Sequence, residues 1–300
     1  MDNQTKRLTL GIDIGGTSIK MAVVVNEREI IWRRQLPFEA GDPQAMLTKI
    51  ASAARPALLS YPAIQYVGLS MAGKVDPGKG TTQADNLRWH DVPVRDMLSK
   101  LIGLPVAIDN DGECAMLAEW KAGACRDVEN VVFLTYGTGI GGGLIINGKP
   151  YRGRTHSGAE LGHVITHAGG NFCNCGHRGC YETYASTGAL KRMLGGRYTV
   201  KEIVEGAKAG KPELAKVFSQ YIVEVGLGLA SIMAVISPDV LVLGGGLSNA
   251  GSFFLHAVRA EMKKYQTWLT APTTIVLAQS GNDAGVLGAA ALVKMTYYGG

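Results

Sequence analysis

The sequence predicts an α/β protein in which one fold unit occurs twice, with a cleft between the two halves. The first observation is a pattern of strand, glycine turn and strand near residues 8–25 that returns near residues 131–146. The second is the alternation of short β-branched segments with segments of helical periodicity. The third is glycine, which supplies 40 of the 300 residues, about 13% against a usual ~7%. Clustered glycines indicate turns that approach another group closely.

The first half begins with a meander of β-branched strands. A helix follows an acidic start, because its apolar residues recur at helical spacing. The buried segments further along are too short to be helices. The predicted elements are strands at 8–14, 18–25 and 30–36, a helix at 42–59, a strand at 66–70, a helix at 94–102, a strand at 106–108 and a helix at 111–123.

The second half repeats the strand and glycine turn, and Asn147-Gly148 adds a hairpin signal. The predicted elements are strands at 130–135 and 144–146, a helix-rich stretch at 187–236, a strand at 240–243, a helix at 252–265, a strand at 274–278 and a helix at 284–294. The predicted domains are a small N-terminal lobe of residues 1–110 with 285–300, and a large C-terminal lobe of residues 111–284. No low-complexity linker interrupts the chain, so the boundary is predicted to be a hinge near residues 109–111.

Composition excludes several functional classes. Apolar residues are 46% and charged residues 18%, which excludes a disordered chain. The net charge is +5, but the basic residues are scattered, so no nucleic-acid partner is expected. Residues 1–7 are polar and do not resemble a signal peptide, and the apolar run at 226–236 is short for a membrane span. A cytoplasmic protein without membrane contact is the expectation.

The first glycine turn follows a buried strand and predicts a phosphate site. Gly15 and Gly16 leave backbone N–H groups open to phosphate oxygens, Thr17 adds a hydroxyl and Lys20 a positive charge. Asp13 ends the strand, where a carboxylate is costly unless it meets a cation, and Mg²⁺ is the natural partner. The alternative is a tight hairpin with a structural aspartate.

Two further glycine segments extend this prediction. The first, at residues 137–139, is again a glycine turn that follows a predicted strand. Two phosphate-binding turns in one chain suit a nucleoside triphosphate, ATP. The other follows an apolar strand, where bare backbone lets a flat ring or a sugar lie close. The alternatives are glycine hairpins and a packing turn. The residues concerned are Gly137, Thr138 and Gly139, and then Gly244, Gly245 and Gly246.

The segment Asp109-Asn110-Asp111 follows a predicted strand and opens a predicted helix. Ligands of α/β folds bind at the carboxyl ends of strands, and a helix N-terminus stabilises a carboxylate. The alternative is a helix cap, since Asp and Asn are preferred there. One acid suffices for a cap, so three polar residues in a row favour a ligand site.

A cysteine cluster predicts a structural zinc site. Three thiols lie within eight residues, and glycines between them permit a tight turn around a tetrahedral Zn²⁺. A fourth ligand is required, and three histidines are candidates. Glu160 and Glu182 flank the cluster, and carboxylates fixed in this way read sugar hydroxyls. The cysteines are Cys173, Cys175 and Cys180, and the candidate histidines are His163, His167 and His177.

Together these segments resemble the ROK family of sugar kinases over nearly the whole chain, especially its bacterial glucokinase-type members. The cysteine signature is the most specific part. The motifs that carry the resemblance are Asp13-Ile-Gly-Gly-Thr17, Asp109-Asn-Asp111, Gly137-Thr-Gly-Ile-Gly141, Glu160-Leu-Gly-His163, Cys173-x-Cys-Gly-x-x-Gly-Cys-x-Glu182 and Leu243-Gly-Gly-Gly246. The resemblance implies a two-lobed, actin-like (ribonuclease H-like) ATPase fold that closes over ATP and sugar.

The resemblance also implies residue roles. Asp111 becomes the catalytic base, and His163 becomes the fourth zinc ligand, because the matching histidine of the family both binds zinc and approaches the sugar. The implied sugar contacts are Gly73, Asn86, Asn110, Asp111, Glu160, His163 and Glu182. The implied cofactors are ATP, Mg²⁺ and a structural Zn²⁺, and the family commonly forms homodimers or homotetramers.

The expected reaction is phosphorylation of glucose at the 6-hydroxyl. The segment 85–89 resembles the Asn-Leu-x-Trp stretch of glucokinases, which favours glucose. Other substrates stay open: N-acetylmannosamine, N-acetylglucosamine, allose, fructose or a β-glucoside. A non-catalytic sugar sensor is the alternative class. Regulators of the family carry a helix-turn-helix before the first glycine turn, whereas about ten residues precede Asp13 here.

Overall fold

The computed structural model describes residues 6–39, 41–84, 87–154, 158–265 and 273–299. The chain divides into two compact units. The first comprises Met1–Arg126 and Ser280–Gly300, and the second comprises Asp127–Gln279. The second unit is therefore one continuous segment inserted into the first.

The first unit is built on a five-stranded sheet with the order β3-β2-β1-β4-β8. Its first three strands form an antiparallel meander, and β4 and β8 add in parallel to β1. The bounds are β1 (Leu8–Ile14), β2 (Ser18–Val25), β3 (Glu29–Pro37), α1 (Pro43–Ser60), β4 (Val67–Met71), β5 (Lys74–Asp76), β6 (Thr81–Ala84), β7 (Trp89–Val92), α2 (Val94–Ile102), β8 (Val106–Asn110), α3 (Asp111–Lys121) and α9 (Ala284–Tyr297).

Alternation along β1 assigns a different layer to each face of this sheet. Leu10 and Ile12 are fully buried in the core that includes α1 and α2. Gly11 faces the other way, toward α9, where a Cβ would lie 2.3 Å from the carbonyl oxygen of Val286. Gly68 on β4 meets α9 in the same way, at 1.9 Å from the Ala289 oxygen. Glycine is required at both positions because α9 packs its backbone directly on the sheet.

A small antiparallel sheet, β5-β6-β7, lies between β4 and α2 in sequence. The sequence analysis did not predict it. Its strands are three or four residues long and largely polar, so they carry no clear alternation.

The second unit repeats the architecture of the first. Its sheet has the order β11-β10-β9-β12-β13, with an antiparallel meander followed by two parallel strands. The predicted duplication is therefore confirmed strand by strand. The bounds are β9 (Val131–Tyr136), β10 (Ile140–Ile146), β11 (Lys149–Pro150), α4 (Glu182–Ala185), α5 (Thr187–Arg192), α6 (Val200–Lys208), α7 (Pro212–Ile236), β12 (Val240–Gly244), α8 (Ser252–Met262) and β13 (Thr274–Leu277).

Helix α7 forms much of the core of the second unit. By length and composition it could cross a membrane, with a mean hydropathy of 1.6, although the sequence analysis found only a short apolar run in it. Ten of its residues are buried, and it contacts α4, α6 and α8. Its apolar character matches that of a core helix.

Both boundaries differ from the predicted lobes. The prediction placed residues 111–126 and 280–284 in the C-terminal lobe, whereas the structure groups them with the first unit. For residues 111–126 the reason is the close packing of α3 on α9, where a Cβ on Gly288 would lie 1.8 Å from the Cys114 carbonyl oxygen.

Candidate functional site

Asp13 is the penultimate residue of β1, beside the first glycine turn, and three residues surround its carboxylate. Ser70, its neighbour on β4, is fully buried and donates its hydroxyl to Oδ1 at 2.9 Å. The Lys20 Nζ lies 4.0 Å from Oδ2. Gly285 at the start of α9 leaves room for the carboxylate, since a Cβ there would lie 2.2 Å from Cγ. Burial raises the pKa of Asp13, while the Ser70 hydrogen bond and Lys20 oppose the rise.

Lys20 joins the glycine turn to the segment before α9. Its Nζ donates to the Asn282 carbonyl oxygen at 2.9 Å and to Asn282 Oδ1 at 2.7 Å. The sequence analysis gave Lys20 a phosphate contact. In the structure the Lys20 ammonium group instead donates to Asn282, which lies 262 positions later in the sequence. Thr17 and Gly16 lie at the exposed tip of the turn.

The structure gives Asn110 the helix-cap role that the sequence left open. The Asn110 side chain caps α3, accepting from the Gly112 N–H at 2.7 Å and the Glu113 N–H at 3.3 Å. Its Nδ2 donates to the Gly73 carbonyl oxygen at 3.0 Å, so these two predicted sugar contacts lie together. Because Asn110 serves as the cap, the Asp111 carboxylate is not needed for that role.

Asp111 is the first residue of α3, and it is exposed to solvent although many protein atoms surround its carboxyl group. Desolvation by these atoms raises the pKa of Asp111, and the negative charge of Asp13 raises it further, whereas the Gly112 N–H opposes the rise. Asp13 and Asp111 therefore lie near enough to interact. A carboxyl group whose pKa is raised by desolvation and by a neighbouring charge is a candidate proton acceptor.

The second glycine turn lies in the second unit, where hydrogen bonds with Thr187 and Glu182 hold it in place. The Gly137 carbonyl accepts from the Thr187 hydroxyl at 2.7 Å and from the Thr187 N–H at 2.9 Å. Glu182 Oε2 accepts from the Ile140 N–H at 3.3 Å, and a Cβ on Gly139 would lie 2.6 Å from that oxygen. Thr138 is exposed at the tip.

The third glycine segment follows β12 and packs against the end of β9. Gly245 has φ 80°, and a Cβ there would lie 2.6 Å from the Tyr136 backbone, so only glycine fits. Beside it is a cavity of about 380 Å³ lined mainly by apolar side chains, with Lys201 and Lys208 among its polar residues. The structure thus brings the second and third glycine segments together.

Three site glycines have no packing reason to be glycine. A Cβ on Gly16 or Gly246 would meet nothing within 4 Å, and one on Gly137 would meet only the Gly139 oxygen at 3.9 Å. None of the three has a positive φ. Bare backbone at such positions suits the close approach of a ligand.

The cysteine cluster gathers four ligand atoms. His163, Cys173, Cys175 and Cys180 offer atoms that all lie within 4.8 Å of one another. Cys175 Sγ is 3.6 Å from Cys180 Sγ, and Cys173 Sγ is 3.7 Å from His163 Nδ1. Zinc bonds of about 2.3 Å to sulfur and 2.0 Å to nitrogen give tetrahedral edges of about 3.5–3.8 Å, so the set fits Zn²⁺.

The other two candidate histidines have other surroundings. His167 stacks on Tyr184 at 3.9 Å between ring centroids and lies 3.5 Å from Glu224. His177 is exposed, and its Nδ1 is 3.5 Å from Cys175 Sγ. Hydrogen bonds from His177 lower the pKa of the Cys175 thiol to about 6, which favours the thiolate that a metal requires.

Glu182 connects the cysteine cluster to the second glycine turn. Its Oε1 accepts from the Cys173 thiol at 3.0 Å and lies 3.7 Å from His163 Nδ1, while Oε2 holds the turn. Glu160 is exposed and precedes the short 3-10 turn Leu161–His163. A cavity of about 650 Å³ is lined by Thr138, Gly139, Cys173 and Glu182, among other residues. Asn86, also predicted as a sugar contact, lies outside the described residues.

Sequence reasoning missed Ser70, and it gave Asp109 no role of its own within the segment 109–111. Asp13, Ser70 and Asp109 are register partners on β1, β4 and β8 and form a polar row across the sheet. Ser70 and Asp109 are 0% and 3% exposed. A polar residue inside a run of apolar strand residues is the feature that could have identified Ser70.

Comparison with known proteins gives a consistent result. A family model described as ROK family matches residues 9–296. A glucokinase of Streptomyces coelicolor is 34% identical and covers 96% of this chain and 98% of its own. The crystal structure of a ROK hexokinase from Thermus thermophilus has a TM-score of 0.89 at 32% identity, over 98% of this chain and 100% of its own. A ROK glucokinase from Streptomyces griseus, solved with glucose and AMPPNP, has a TM-score of 0.79 at 33% identity, over 95% and 98%.

Proposed function

The chain belongs to the ROK family, and from this premise we propose that it transfers the γ-phosphoryl group of ATP to the 6-hydroxyl of glucose. Glucokinases that are 30–34% identical over nearly the full length confirm the predicted ATP-dependent sugar kinase and its fold class. The relative solved with glucose and AMPPNP supports glucose as the acceptor and a nucleoside triphosphate as the donor.

The observation that carries the proposal is the electrostatic interaction of Asp111 with Asp13, which lies beside the first glycine turn. Asp111 accepts the proton of the 6-hydroxyl while that oxygen attacks the γ-phosphorus, and ADP leaves as the bond to its β-phosphate oxygen breaks. The influence of Asp13 on the pKa of Asp111 supports a base that lies beside the phosphate-binding turn.

The second unit supplies the binding surfaces of the proposal. We assign the sugar hydroxyls to Glu160, His163 and Glu182, because the cysteine cluster and the glycine turn both fix Glu182. The backbone N–H groups of the bare glycines bind phosphate oxygens. The apolar cavity of about 380 Å³ beside Gly246 takes the nucleotide base.

Two metal ions complete the proposal. The Asp13 carboxylate fits Mg²⁺, which binds proteins through one or two carboxylates together with substrate phosphates. Magnesium supplies charge neutralisation at the transferred phosphoryl group when it is bound. Zinc fits the set of His163 and three cysteines, and its role is structural because all four positions are protein ligands.

An ATP-dependent phosphorylation assay over a panel of hexoses tests the assignment, with the product position read by NMR. Glucose 6-phosphate as the preferred product is the expected result. Preference for another sugar reassigns the substrate. If no sugar of the panel is phosphorylated, the proposed kinase activity is contradicted. N-acetylglucosamine is the main competitor, because a kinase for that sugar from Vibrio atlanticus is 30% identical over 94% of this chain. The homodimer or homotetramer and the cytoplasmic location stay predictions.

A further inference from the structure

Glu119 is a buried acid on α3 that the proposed chemistry does not use. Only 1% of the surface of Glu119 is exposed to solvent. Oε1 accepts from the Ser280 N–H at 2.6 Å, and Oε2 accepts from the Ala124 N–H at 2.8 Å. A Cβ on Gly123 would lie 2.1 Å from Oε2, so the backbone folds tightly around this carboxylate. Two charge-assisted hydrogen bonds to backbone N–H groups are among the strong ones in proteins.

These two bonds hold both chain connections of the first unit. The chain leaves this unit after Arg126 and returns to it at Ser280. Ala124 is two residues before the exit, and Ser280 is the point of return. One side chain therefore ties the exit and the return to the same turn of α3.

The returning segment leads directly to the groups around Asp13. Asn282, two residues after Ser280, accepts both hydrogen bonds from Lys20. Gly285 lies against the Asp13 carboxylate. At the other end of α3, eight residues and about 12 Å before Glu119, is Asp111. Glu119 thus connects the helix that begins with Asp111 to the segment that shapes the surroundings of Asp13.

We propose that Glu119 is a positioning residue for phosphoryl transfer: it fixes the segment 280–285, and through it Lys20 and Asp13, to the helix that carries Asp111. This inference rests on the proposed function for its kinetic consequence. Small displacements of such groups matter, since a shift of about 1 Å in a reacting group costs roughly 10²-fold in rate.

The test removes the same hydrogen bond from each side. Glu119→Gln replaces one acceptor oxygen by an N–H donor that faces a backbone N–H. Ser280→Pro removes the Ser280 donor at a residue whose φ of −69° suits proline. Ser280→Ala keeps the N–H and is the matched control. The double variant Glu119→Gln/Ser280→Pro measures whether the two changes act through one bond.

Kinetics give the first readout, at temperatures well below the melting point of each variant. We expect Glu119→Gln and Ser280→Pro to lower kcat/KM for ATP about 10- to 100-fold, with a raised KM for ATP and a KM for glucose within about twofold. The double variant resembles the worse single variant, and Ser280→Ala resembles the wild type. A merely structural loss lowers the active fraction and leaves both KM values unchanged. Unchanged KM for ATP, additive effects, or equal effects of Ser280→Ala and Ser280→Pro overturn the proposal.

Amide hydrogen exchange gives a readout that does not depend on the reaction. In Glu119→Gln the amides of Ala124 and of residues 280–285 exchange at least about tenfold faster, while amides of α6 are unchanged. Unchanged exchange in 280–285 overturns the coupling. If the wild type phosphorylates no sugar, the proposed function fails, and this measurement still decides the coupling.

Discussion

The two units share one sheet topology but differ in the residues at equivalent positions. Strand register matches Asp13 on β1 with Thr135 on β9, since each precedes the last residue of its strand and pairs with the neighbouring parallel strand. The partner of Asp13 on that strand is Ser70, and the partner of Thr135 is Gly244. Lys20, which pairs with Asp13, corresponds to Gly141, which pairs with Thr135.

This difference separates charge from open backbone. The first unit has a carboxylate, an ammonium group and a hydroxyl at the positions of Asp13, Lys20 and Ser70. The second unit has a hydroxyl and two glycines at the matching positions. The second unit instead adds the cysteine cluster, which the first lacks among its described residues. At these matched positions the duplicated scaffold thus carries charged side chains in one copy and bare backbone in the other, because the same turn geometry accepts different side chains.

The largest expected effect is on kcat and comes from a change in the first unit, which carries the charged residues. Asp111→Asn is expected to lower kcat by about 10²-fold or more, the scale for loss of a general base, with KM for glucose nearly kept. Steady-state kinetics measure it, and Asp96→Asn, an exposed acid on α2, is the control. Near-normal turnover of Asp111→Asn would remove the base from the first unit and with it the proposed division of roles.

The same variant gives a prediction for stability. The folded state raises the pKa of Asp111, so the folded protein binds this proton more tightly than the unfolded chain does. The stability that the group contributes is present below its unfolded-state pKa and is lost as the pH rises through the raised pKa of the folded state. Asp111→Asn is therefore expected to raise the melting temperature at neutral pH and to have less effect at acidic pH. A lower melting temperature at neutral pH would contradict the cause assigned to this pKa.

The next effect concerns the cluster of the second unit. Elemental analysis should find about one Zn²⁺ per chain, and Cys175→Ser should lose it and lower kcat/KM about 10- to 100-fold, because Glu182 depends on the cluster for its place. Cys125→Ala, which changes a buried thiol outside the cluster, should keep the metal. A folded, fully active enzyme without metal would refute the zinc site.

The smallest effect tests the open backbone. Gly246→Ala should fold normally, because its Cβ meets nothing within 4 Å, yet raise KM for ATP several-fold, since that methyl group takes the space of the ligand. Gly41→Ala, which also has free space, is the control. An unchanged KM for ATP would mean that the nucleotide does not approach Gly246.

Local patterns were enough to predict most of the fold. The two glycine turns and their flanking β-branched strands revealed the duplication, and helical spacing located α1 and α9. The small sheet β5-β6-β7 escaped because its strands are short and polar. The boundary at residue 126 escaped because it depends on the packing of α3 against a helix that lies more than 160 residues later in the chain.

The candidate site was predictable where residue types carry the chemistry. The cysteine spacing and the acids after β8 are of this kind. Lys20 and Glu119 were not predictable in their roles, because their partners Asn282 and Ser280 are 262 and 161 positions away. Only a tertiary contact reveals that a lysine beside a glycine turn binds the protein itself.

The direct packing of α9 on Gly11 and Gly68 has a consequence for biosynthesis. The second unit is continuous and is complete once Gln279 has been translated, whereas the first needs its C-terminal helix to cover one face of its sheet. Domains usually mature on the ribosome from the N-terminus onward. In this chain the N-terminal sheet, although made first, acquires the helical layer on this face only after α9, which follows the whole second unit in the sequence.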